Sequence, residues 1–152
     1  MPIQWSYIIT PPAGSTETEA LTSLEVLVPS DLAVDADGDL ELPPRLVKGA
    51  DAVTQSMNTA FQMMLGEWFL DTREGIPYVE EVFVAAPDLR LIEALFRRAI
   101  LRVPGIASLR AFAMSRDRST RTLSIDDFEA VLVNGSTLRL AETPYVVYTS
   151  NG

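Results

Sequence analysis

Apolar and polar residues follow a different period in each third of the chain. From Gly49 the apolar or small positions Ala50, Val53, Met57, Ala60, Phe61 and Met64 recur every three or four residues, while Gln55, Asn58 and Gln62 fall mainly on other sides. That pattern is one face of an amphipathic helix, which Gly66 stops. A second stripe runs through Leu89, Ile92, Leu95, Phe96, Ala99, Ile100 and Val103. Asp88 suits its N-cap, Arg97, Arg98 and Arg102 suit the negative end of its dipole, and Pro104-Gly105 ends it. Between the two helices Trp68, Phe69 and Leu70 read as a compact apolar knot, with Phe69 closing the core. Asp71 to Tyr78 is a turn-rich connection.

Beyond Gly105 the period drops to two. Leu109, Ala111 and Ala113 alternate with Arg110, Phe112 and Met114 over a strand at 107–115, and Arg116 to Thr120 forms a polar turn. Alternation resumes over 122–133, with a break at Asp126-Asp127. Asn134-Gly135 is the strongest hairpin signal in the chain. Residues 136–148 give one or two further strands around Pro144.

The first third is irregular. Ile3 to Thr10 is β-prone, Pro11 to Thr16 breaks any regular element, and a short apolar run from Leu24 to Val28 ends at Pro29. Two short runs, 31–34 and 39–42, are joined by Asp35-Ala36-Asp37-Gly38, a hairpin signal closed by Pro43-Pro44. This part reads as arms and turns, either a frayed terminus or a segment that orders on a partner. The expectation is an α+β fold: two main helices packed on a small antiparallel C-terminal sheet, preceded by an N-terminal arm and hairpin. Residues 1–30 form the extension and 31–152 the domain.

Composition narrows the chemistry. At 152 residues the chain can bury roughly 70% of its unfolded surface without disulfide or metal support. It has no cysteine and no histidine, which removes thiolate nucleophiles, imidazole proton shuttles and the usual zinc ligands. With 12 Lys+Arg against 21 Asp+Glu the net charge is −9, which argues against nucleic acid as a partner. No apolar run approaches the ~20 residues that span a bilayer, and Met1 to Trp5 lacks the features of a signal peptide. A soluble chain made in the cytoplasm is expected.

Three clusters invite a chemical reading. Asp35 to Asp39 resembles a calcium loop, but with Gly38 at the sixth position Ala33 and Pro44 occupy the two end-ligand positions, so a solvated turn is the better account. Glu67 with Asp71, and Glu80 with Glu81, are the nearest carboxylate pairs for hydrolysis, and such pairs arise by chance in so acidic a chain. Arg97, Arg98, Arg102, Arg110, Arg116, Arg118 and Arg121 form the one basic region, read as solvated charge before a docking face. No cofactor, metal or catalytic residue is expected.

The order of five blocks is more informative. Val47 to Met57 is followed by Gly66-Glu67-Trp68-Phe69-Leu70-Asp71, then Gly75-Ile76-Pro77-Tyr78, Leu101 to Ile106, and Asp117 to Leu123. Across residues 31–135 this resembles the small baseplate-wedge subunit family of contractile phage tails, with relatives in type VI secretion and tailocin baseplates. The resemblance implies a non-enzymatic structural protein of the tail baseplate, assembled in the bacterial host cytoplasm into a six-fold particle. Its implied partners are other wedge proteins and the tail sheath protein, with tail tube or hub proteins as further candidates. Some members carry a Glu closely followed by Arg after the first helix. Here Glu67 matches, Trp68 follows it, and the next arginine is Arg73. Glu67, Trp68, Asp71, Arg73 and Tyr78 are therefore the candidate partner-binding residues. An edge of the C-terminal sheet is a second candidate, where a neighbour adds a strand; deletion of residues 136–152 is one way to probe it. Two alternatives stay open: a regulatory adaptor of the same fold, and a cell-wall hydrolase using Glu67.

Overall fold

The period-two third folds as expected. In the computed structural model, which describes residues 7–35, 37–141 and 146–148, β4 (Ile106–Asp117) and β5 (Thr122–Leu132) pair antiparallel. β6 (Thr137–Leu140) adds to β5, and β1 (Tyr7–Thr10) adds to β6, giving the order β1-β6-β5-β4. A short β7 (Val146–Tyr148) pairs with the start of β5. Gly135 takes φ 85° in the β5–β6 turn, where the Asn134 side-chain oxygen accepts the Ser136 amide at 3.0 Å. Pro144 lies outside the described residues.

The expected break at Asp126-Asp127 is a bulge within a continuous strand. Ala113 pairs with Asp127 and Met114 with Ile125, so Asp126 has no opposite number. One extra residue inverts the alternation. Leu123 and Ile125 are buried before it, and Phe128, Ala130 and Leu132 after it.

Helix α3 (Leu89–Leu101) lies on β4, with the Asp88 side chain accepting the Arg90 and Leu91 amides as its cap. Its buried stripe is Ile92, Phe96 and Ile100. Helix α2 (Gly49–Gln62) packs behind it and buries Ala52, Val53, Met57 and Phe61. Phe96 is the joint between layers: its ring stacks on Phe61 at 5.4 Å and on Phe112 of β4 at 6.5 Å. Burying one such ring contributes about 1.5–3 kcal/mol.

The first half departs from expectation in several places. Helix α2 stops at Gln62, short of Gly66, because Met64 leaves the helix to bridge Ile76 in parallel. And residues 11–28 are more than turns: Glu17–Leu27 is a helix, α1. Its start is a capping box, with Glu19 N donating to Thr16 Oγ1 at 3.2 Å and Thr16 N to Glu19 Oε2 at 2.9 Å. α1 buries Ala20 and Leu24, and Asn134 of the β5–β6 turn donates to Ala20 O and Ser23 Oγ at 3.0 Å each. Residues 1–6 of the expected arm lie outside the described residues.

The Asp-Gly hairpin is shorter than its sequence suggests. Val34 bridges Leu40, and Asp35 N donates to Asp39 O, but β2 (Asp31–Leu32) pairs with β3 (Leu46–Val47) rather than with 41–42. Pro43 and Pro44 offer no N–H to a ladder, and pairing resumes only beyond them. The Gln55 side chain fixes this segment to α2: its amide donates to Leu32 O and Asp31 Oδ2, and its oxygen accepts Val34 N. The molecule is α+β, and among the described residues no helix is long and apolar enough to cross a membrane.

Candidate functional site

The connection from α2 to α3 is a closed loop with a fixed base. Ile76 N donates to Met63 O and Leu65 N to Ile76 O, both at 2.9 Å, and Gly66 N reaches Glu74 O at 3.3 Å. The two limbs approach so closely that a Cβ on Gly75 would stand 2.4 Å from Met64 O, and Gly75 has φ 107°. Only glycine satisfies both conditions. Inside the loop, turns follow one another: Glu67 N to Met64 O, Asp71 N to Trp68 O, Glu74 N to Asp71 O. Arg102 at the end of α3 donates to Glu74 Oε1 at 2.6 Å and ties the loop to that helix.

Polar side chains hold the loop in shape. Arg73 grips Asp71 with both Nε and Nη2 at 2.9 Å. That side-chain hydrogen bond, together with the Arg73 backbone N–H, holds the Asp71 carboxyl down at about 2. Glu67 Oε2 accepts the Met64 amide at 3.1 Å.

Below the loop the chain enters the core through Ile76, Tyr78 and Val82, the last two in a π-helical turn (Tyr78–Val82) for which the sequence pattern gives no signal. The Tyr78 hydroxyl donates to Phe61 O, one of the carbonyls that the end of α2 leaves without an intrahelical donor. Its ring packs on Phe83 and edge-on to Phe96.

The apex is apolar and faces water. Trp68 is 42% exposed, Phe69 84% and Leu70 68%, with Met64 and Leu65 exposed beside them. This corrects the expectation that these residues form a compact knot and that Phe69 closes the core. Phe61, Ile76, Tyr78 and Val82 already fill that end of the core, and the turns at 67–74 carry the apex outward. Single exposed apolar residues need no explanation, but several gathered on one anchored loop set this stretch apart as the candidate site.

Of the five candidates, Glu67, Trp68, Asp71 and Arg73 share this loop, and Tyr78 sits beneath it in the core, 5% exposed. Sequence reasoning passed over Phe69 and Leu70. The available signal was that 67–71 carries neither a helical nor a strand period between Gly66 and Gly75.

The other clusters resolve into local structure. One oxygen of Asp35 accepts the Asp37 and Asp39 amides and so shapes its own turn. Four of the seven arginines make separate contacts: Arg97 with Glu93 and Phe112 O, Arg102 with Glu74, Arg110 with Glu129, Arg116 with Ala85 O.

No curated protein is similar enough to this chain to count as a relative. A family assignment rests instead on residues 30–135, which cover the hairpin, both main helices, the anchored loop and the two long strands, and which match the family described as contractile injection system sheath initiator. The chain belongs to the contractile injection system sheath initiator family.

Proposed function

We propose that this chain is a baseplate wedge subunit that joins the wedge bundle to the first sheath ring in a six-fold particle. The coarser role follows from family membership: a structural part in the assembly of a contractile sheath, in contact with sheath and baseplate components. The observation that carries the finer reading is the loop apex, Trp68-Phe69-Leu70, held out in solvent by a base that only Gly75 permits. Aromatic and aliphatic anchors at the centre of a patch, ringed by charges such as Glu67 and Arg73, are the make-up of an interface hot spot. In this reading the apex meets the wedge proteins, Glu67 and the Asp71–Arg73 pair set its shape and rim, and Tyr78 supports it from the core.

The sheath contact falls to the sheet. β4 is twelve residues long and ends the sheet order opposite β1, so a sheath segment has an outer strand to pair with. Deleting residues 136–152 is too blunt a test of this, because it removes β6, which bridges β1 and β5 and buries Leu138. In this reading the role is structural, in keeping with the family description, and the Glu67 carboxylate serves the loop by accepting a turn amide.

The test is microscopy of particles from producer cells with and without the gene. Loss of sheathed tails, with free tubes or sheath polymers accumulating, is the expected result. Normal contractile particles in the deletion overturn the reading and favour the adaptor.

A further inference from the structure

One flank of the loop opens into a groove of about 740 Å³ that runs from the Val34–Gly38 turn along α2 to Trp68. Its wall is built in advance, since the three hydrogen bonds of Gln55 hold residues 31–34 against the helix. Its charged lining is Asp35, Asp51, Glu67 and Arg45. Arg45 is already committed, bound to both carboxylate oxygens of Glu41 at 2.8 and 2.9 Å. Three carboxylates against one guanidinium leave the groove net negative, with Asp35 and Asp51 toward one end, Glu67 toward the other and neutral polar side chains between. It ends on the half-exposed indole of Trp68. The volume lies within the roughly 300–1,000 Å³ of built binding clefts, room for several side chains rather than one.

We infer that this groove receives a basic amphipathic segment of a partner protein, its lysines or arginines facing Asp35, Asp51 and Glu67 and an apolar or guanidinium group resting on Trp68. Charge complementarity selects such a segment and repels an acidic one, and a cation over the indole adds to the attraction. A second copy of this chain, at a net charge of −9, is the wrong partner by the same argument. The inference adds a partner chemistry to the proposed loop contact. It rests on that reading only in taking the partner from the same assembly.

The experiment places the photo-crosslinker benzoylphenylalanine at Thr54, which lines the groove, and separately at Phe69 on the apex, in producer cells. Mass spectrometry identifies the captured peptide. From position 54 it should be a segment of another assembly component in which Lys and Arg outnumber Asp and Glu. Capture should fall about tenfold or more in the double variant Asp35→Lys/Asp51→Lys. It should persist in Glu80→Lys/Glu81→Lys, which changes the charge equally at residues outside the groove lining; thermal melts confirm that both variants fold. An acidic or neutral segment, a second copy of this chain, or capture indifferent to Asp35 and Asp51 overturns the inference. Capture from position 69 with none from 54 overturns it too and leaves the wedge reading standing. No capture from either position, with normal particles in the gene deletion, removes both.

Discussion

Phe61 and Phe69 lie on either side of the helix end at Gln62 and meet opposite fates. Phe61 is 1% exposed, stacked on Phe96 at the end of a periodic stripe; Phe69 is 84% exposed, in an aperiodic run between two glycines. The residue type is the same, so hydrophobicity alone does not decide burial. Position in a helical period places Phe61 on the face that meets α3, and backbone turns pinned at Gly75 carry Phe69 away from it. The core holds the fold together, and the apex uses that rigidity to present surface.

The sharpest way to break this comparison is to cut the core at its joint. Phe96→Ala removes the ring shared by α2, α3 and β4 and should lower unfolding free energy by about 3–5 kcal/mol, read from urea denaturation. A loss below about 1 kcal/mol would mean the layers are not held through that ring. Next in size is Gly75→Ala, which forces a Cβ against the Met64 carbonyl at positive φ and should cost about 1–3 kcal/mol. Amide exchange should rise first at Leu65 and Ile76, whose bonds close the loop base, while the amides of β4 and β5 keep their protection.

The smallest effect is electrostatic. The Asp71 carboxyl lies below its ordinary value of 3.8, at about 2, because Arg73 stabilises the charged form. A depressed carboxyl contributes stability that is present in full above the unfolded value near 3.8 and is lost as pH falls through about 2. The pair is exposed, so its contribution is local. Carbon-detected NMR titration should place the Asp71 midpoint near 2 in the native chain and closer to 3.8 in Arg73→Ala.

What was legible in the sequence follows the strength of each period. α2 and α3 carry unbroken stripes, and Asn134-Gly135 fixes a turn through its φ, so these emerge from the residues alone. α1 buries only Ala20 and Leu24, too few positions to mark a face, although the Thr16–Glu19 capping box announces its start. The bulge at Asp126 appears in sequence as a break because one unpaired residue inverts the alternation. At the site, Glu67, Trp68, Asp71 and Arg73 are neighbours in the chain and stay neighbours in space. Tyr78 departs because the carbonyl of Phe61, far from it in sequence, accepts its hydroxyl. The outward turn of Phe69 depends on which side chains reach the core first, which no local pattern records.

The most direct test of the account replaces the apex and leaves the core alone. The triple variant Trp68→Ser/Phe69→Ser/Leu70→Ser should still unfold cooperatively and lose no more than about 3 kcal/mol, most of it from the half-buried Trp68 and little from the more exposed Phe69 and Leu70. Supplied to cells that lack the gene, it should fail to restore sheathed tails under the electron microscope. A well-folded triple variant that restores normal sheathed particles would contradict the claim that this loop anchors the protein in its machine.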